Sequence, residues 1–108
     1  MDLIDIALTR QHFDGFDDSV VAALCAATQS DLRTWSERLL DGWTAGDTDG
    51  IGRARHALKG LCGNYGAQGL IALIALPLQN AQSREALQAC TEATIAAILA
   101  VAATREPG

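Results

Sequence analysis

The chain has 108 residues, 49% of them apolar, and carries 13 acidic against 8 basic side chains for a formal charge of −5. That length holds one domain with a real core but not two. It leaves little room for a complete nucleotide-hydrolysing or dinucleotide-binding fold, and no glycine-rich fingerprint of either kind occurs. The negative total argues against a general affinity for nucleic acid, which needs a net basic footprint.

Twenty alanines against ten valines and isoleucines favour helix over sheet, because alanine loses no side-chain entropy in a helix. The spacing predicts a short first helix over about residues 2–11 that buries Leu3, Ile6 and Ala7. Asp17, Asp18 and Ser19 are N-cap candidates for a long second helix reaching about Ala45. Its stripe is Val21, Leu24, Thr28, Leu32, Trp35, Leu39 and Trp43, at three- and four-residue steps. Gly46-Asp47 stops it, and Thr48 or Asp49 starts a third helix over about 49–64, closed by the Gly63-Asn64-Tyr65-Gly66 turn. A fourth covers about 67–76 up to Pro77. Ser83 caps a fifth with the stripe Leu87, Cys90, Thr94, Ala97, Ile98 and Val101. The expected fold is all-α: an antiparallel four-helix bundle over about residues 17–104, with a short additional N-terminal helix, in a single domain spanning 1–108.

Cys25, Cys62 and Cys90 are widely spaced and form no Cys-x-x-Cys pair, so buried thiols in a reducing compartment are expected, with no metal site. The N-terminus has acids where a secretory signal needs bases. Residues 60–83 hold no charged side chain, but their continuous apolar run, Leu70 to Leu78, is far shorter than the ~20 residues of a spanning helix. The expected location is therefore the cytoplasm, without a membrane.

The third helix carries the functional information. Ile51, Ala54, Leu58, Leu61, Cys62 and Tyr65 make its inward face, and the opposite face reads Gly52, His56, Lys59, Gly60 and Gly63. Each glycine costs a helix roughly 1 kcal/mol relative to alanine. All three fall within about 40° of the His56 direction, which strips side-chain bulk from both sides of the imidazole. The charges are uneven as well. Residues 1–49 carry ten acids and three bases, 50–84 four bases and no acid, and 85–108 three acids and one base. Arg53, Arg55 and Lys59 surround His56 in that basic middle, a field that attracts an anionic group to the ring.

His56-Ala57-Leu58-Lys59-Gly60, followed by Gly66-Ala67 and then Leu70 and Leu73, resembles the phosphoacceptor motif of histidine-containing phosphotransfer (HPt) domains. The length, the Gly46-Asp47 turn and the helix order agree with that family over nearly the whole chain. The resemblance implies a protein that relays phosphoryl groups between receiver-domain aspartates in a two-component phosphorelay. It makes His56 the phosphoacceptor and Lys59 the group that steadies the phosphoryl oxygens. Gly52, Arg53, Arg55, Gly60 and Gly63 would meet the docked partner. No cofactor is expected in this chain, Mg²⁺ and the catalytic carboxylates belonging to the partner receiver. The implied partners are response-regulator receivers and a hybrid sensor histidine kinase, bound by a monomer.

The chain departs from the family at Leu61-Cys62, where small polar residues are usual. It departs again at Pro77-Leu78, which leaves Gln79 or Asn80 as the polar residue to face the histidine. Other readings stay open. A sensor-kinase dimerisation domain typically has an acid after the histidine, where this chain has Ala57. A chemotaxis-kinase phosphotransfer domain would be one piece of a longer chain. A non-catalytic adaptor would dock receivers or another helical protein without transfer, using part of the Leu70–Leu78 run as a contact surface. A Cys/His hydrolase fails because Cys62 points away from His56. His12 is expected to be structural or incidental.

Overall fold

Aspartates start the first three helices. In the computed structural model, which describes residues 3–105, the side chains of Asp5, Asp17 and Asp47 each accept a 3.0 Å hydrogen bond from the backbone N–H three residues on, at Leu8, Val20 and Gly50. Each satisfies a donor that a helix start otherwise leaves orphaned. The elements are α1 (Ile6–Phe13), α2 (Asp18–Ala45), α3 (Thr48–Gly63), α4 (Gln68–Ile74) and α5 (Ala81–Thr104), with no strand among the described residues. The fold is all-helical.

The long second helix has the expected limits: Asp17 caps it and Gly46, at φ +65°, ends it in the left-handed conformation. Its inward stripe is rotated from the expected one. Val21, Thr28, Leu32 and Leu39 are buried as expected, joined by Cys25, Ser36 and Gly42, whereas Leu24, Trp35 and Trp43 are only partly buried. At Gly42 the reason is the close packing of α3. A Cβ at Gly42 would sit 3.0 Å from Ile51 Cγ1 and 3.2 Å from the Ile51 backbone nitrogen. α5 crosses the same helix antiparallel, as two pairings fix: Arg33 bonds Glu92 through two hydrogen bonds, and Arg105 near the end of the chain pairs with Asp18. Ser36 and Thr91 share a buried 3.0 Å bond between the same two helices, so neither hydroxyl is left unsatisfied in the core.

Three of the expected elements need correction. The first helix begins at Ile6, not residue 2 (Met1 and Asp2 lie outside the described residues, as does Pro107), and it buries Thr9 and Phe13 while Ile6 and Ala7 face solvent and Leu3 is half-buried. The reason is tertiary: the Asp5 N–H donates to the Tyr65 carbonyl at 2.9 Å and the Thr9 hydroxyl to the same oxygen at 3.3 Å, which turns the helix about that anchor. The fourth helix ends at Ile74 rather than 76, because a residue before proline disfavours helical conformation and the freed carbonyls find another donor, described below. The fifth is capped by Asn80, with Ser83 three residues inside it completing a reciprocal capping box. In its stripe Thr91 and Ile95 are buried, and Cys90 and Ala97 only partly so.

The membrane question also moves. By length and composition α5, and not the 60–83 segment, is long and apolar enough to cross a bilayer; 33% of its apolar window is buried within the protein. Nine alanines supply much of that apolarity, and its exposed face mixes alanines with Gln82, Glu85, Gln88 and Glu92. The Leu70–Leu78 run packs mainly inward: Leu70, Ile74 and Leu78 are fully buried, while Leu76 is 52% exposed.

Candidate functional site

The site is built on α3, whose two faces separate cleanly. Ile51, Ala54, Leu58 and Cys62 are buried on one side, Tyr65 follows them inward, and Leu61 is half-buried. On the other side Gly52, Arg53, His56, Lys59, Gly60 and Gly63 are all exposed. Burial pushes the Cys62 thiol up to about 12, with Cys90 contributing, so at neutral pH this sulfur is neither exposed nor ionised and takes no part in nucleophilic chemistry.

The three outward glycines are not there to relieve crowding. A Cβ placed on Gly52, Gly60 or Gly63 meets no atom within 4 Å. Elsewhere glycine is required. Gly66 sits at φ +60°, and a Cβ there would lie 2.6 Å from the Asp5 Cβ, so the turn after α3 must be bare for the N-terminal segment to dock. Ala67 beside it is fully buried. Together they hold the start of α4 against the core and leave the His56 face free.

The basic residues of this region have separate fates. Lys59 stands exposed one turn beyond His56. Arg53 shares a shallow groove with Asp41, Asp47 and Arg38, so although residues 50–84 hold no acid, the end of α2 and the α2–α3 turn bring carboxylates to it. Arg55 is half-buried and works as a cap. Its Nε donates to the Ile74 carbonyl at 2.7 Å and its Nη2 to the Leu76 carbonyl at 3.2 Å, and the guanidinium lies over the Trp43 ring at 5.5 Å. These are the carbonyls that α4 exposes by ending early. Two of the Arg55 nitrogens are thereby committed to the fold.

Among the described residues, neither Gln79 nor Asn80 makes a hydrogen bond to the imidazole. Asn80 accepts the Ser83 N–H at 2.8 Å as the cap of α5, and Gln79 lines a groove one turn before His56. His12, isolated in sequence, packs edge-on against Tyr65 with ring centroids 5.0 Å apart, while the Tyr65 hydroxyl shares a buried 2.7 Å bond with Thr28.

The groove beside Gly52 escaped sequence reasoning. Trp43, Ile51, Gly52, Arg55, Gln79 and Arg84 are among its walls, and it encloses about 720 Å³. Arg84 is far from His56 in the chain, and no local pattern links the two. Among the described residues no cluster of three or more His, Cys, Asp or Glu side chains could hold a metal ion. No protein-family model matches the chain, nor does any curated protein or solved structure.

Proposed function

We propose that the chain is a histidine phosphotransfer protein of a two-component phosphorelay, in which α2 to α5 act as an antiparallel four-helix bundle and α1 is the additional helix. The carrying observation is His56: an exposed imidazole on a helix, between three glycines at which an added Cβ would meet no atom within 4 Å. Bare backbone there has no use within the fold and costs helix stability. It allows the close approach of a second protein. HPt-like residues at His56, Lys59, Gly60, Gly66 and Ala67 support the same reading.

In the proposed reaction the Nε2 lone pair of His56 attacks the phosphorus of a receiver's aspartyl phosphate. The P–N bond forms as the P–O bond to the aspartate breaks, and the carboxylate leaves. Passing the group to a second receiver is the reverse. Transfer of this kind needs in-line positioning and charge neutralisation. Lys59 supplies a point charge one turn away, and the receiver brings Mg²⁺ and the catalytic carboxylates. The protein works in the cytoplasm as a monomer, with receivers and a hybrid sensor kinase as partners.

Incubation with a phosphorylated receiver should give an acid-labile, base-stable label, and His56→Gln should abolish it. A label that survives that substitution overturns the assignment. Lys59→Ala should slow transfer roughly tenfold, the loss of one charge-assisted contact, with unchanged circular dichroism. The adaptor reading draws on the exposed Leu76 beside the site; receiver binding without any label on His56 would select it.

A further inference from the structure

The groove at the α2–α3 end has a composition that the proposed phosphoryl chemistry does not require. Arg55 and Arg84 are both pinned. Arg55 holds the α4 carbonyls, and Arg84 donates from Nε to the Leu78 carbonyl at 3.2 Å and from Nη1 to the Thr44 hydroxyl. Among the described residues, each guanidinium keeps one terminal amino group without a hydrogen-bond partner. Both are held by neutral oxygens, and no acid is among the described residues that line the groove, in a chain whose net charge is −5. Arg53, on the other flank of α3, already has Asp41 and Asp47 beside it. Trp43 and Ile51 line the groove with the two fixed cations, and Gln79, which lines it too, is exposed.

Position adds to composition. Thr48, Ile51, Gly52 and Arg55 form one stripe of α3, and the next turn of the same stripe carries His56 and Lys59. Gly52 precedes His56 by one turn, about 6 Å along the helix axis. A protein seated over His56 therefore extends over the groove.

We infer that this groove is the docking pocket for an acidic, apolar-flanked segment of the partner protein, its carboxylate meeting the Arg55 and Arg84 amino groups and its neighbouring apolar side chain lying on Trp43 and Ile51. This rests on the phosphotransfer reading for the partner's identity. Guanidiniums held in advance lose little freedom on binding, and complementary charge beside the reacting histidine sets which partners dock.

The test changes the groove's charge at Gln79, which is exposed and caps nothing. A phosphorylated receiver domain is titrated against the 108-residue chain, with binding and His56 labelling read in parallel. Gln79→Glu should weaken its binding about tenfold and Gln79→Lys tighten it a few-fold at low salt, both differences shrinking at high salt. In ¹⁵N spectra of the 108-residue chain the Trp43 indole N–H should shift on titration and that of Trp35 stay in place. Equal affinities for the three proteins, with His56 still labelled, overturn the pocket and leave the phosphotransfer reading standing. Charge-dependent binding with the Trp43 shift but no label on His56 keeps the pocket and removes that reading. A Trp43 shift produced equally by inorganic phosphate alone overturns the protein-segment assignment in favour of a small-anion site. Failure of receivers to bind at all overturns both.

Discussion

The two faces of α3 treat the absence of a side chain in opposite ways. On the inner side, and at the turn that follows, glycine answers a need of this protein: Gly42 of α2 lets the Ile51 backbone approach, and Gly66 takes a positive φ under Asp5. On the outer side Gly52, Gly60 and Gly63 answer no such need, since their Cβ positions are open. The inner glycines are explained by contacts inside the molecule. The outer ones carry a stability cost with no contact in return at the Cβ, and the partner docking proposed above is the reading that accounts for them.

The difference can be broken from either side. The largest effect concerns the buried face. With its thiol raised from 9.0 to about 12, Cys62 should react with iodoacetamide about a thousandfold more slowly in the native protein than in denaturant, read by mass spectrometry of the labelled peptides. Rapid native labelling would mean that the inner face opens. Next, Gly66→Ala should destabilise by about 3 kcal/mol in urea unfolding, combining a left-handed backbone with a clash against Asp5. Gly60→Ala should do the reverse, gaining about 1 kcal/mol from helix propensity, whereas Gly60→Gln should impair receiver docking. Unchanged docking by Gly60→Gln would leave the outer glycines without a purpose. The smallest effect is at the entrance to α2. Hydrogen bonds from the Ser19 side chain and then the Val20 N–H hold the Asp17 carboxyl below its ordinary 3.8. Its contribution is therefore complete above pH ~4 and fades as pH falls through the lower folded value. Asp17→Asn should flatten the acid limb of a plot of Tm against pH without altering it above pH 5.

The sequence made much of this legible where the code is local. Asp17 and Gly46 mark α2 to within a residue, since a cap side chain and a left-handed glycine act within one turn. The inward and outward faces of α3 follow from helical period alone, and so does the exposure of His56. Rotations between helices were less readable: Leu24, Trp35 and Trp43 gave way to Cys25, Ser36 and Gly42 at the α2 core, because Gly42 lets Ile51 of α3 approach and Ser36 pairs with Thr91 of α5. The register of α1 does not follow its local pattern, its burial being decided by hydrogen bonds to Tyr65 some 56 residues away.

The sequence by itself determined the helical class, the ends of the long helix, and a bare, basic helix face around one histidine. Those depend on propensity, capping and periodicity, all of which operate over a few residues. Only the tertiary structure decided how the positive charges are used: Arg53 beside acids from another element, Arg55 turned into a cap for α4, and Arg84 brought from α5 to face Arg55 across a groove. Charge counted along the chain cannot give this, because Coulomb and hydrogen-bond interactions act through space, and the fold chooses which groups share it.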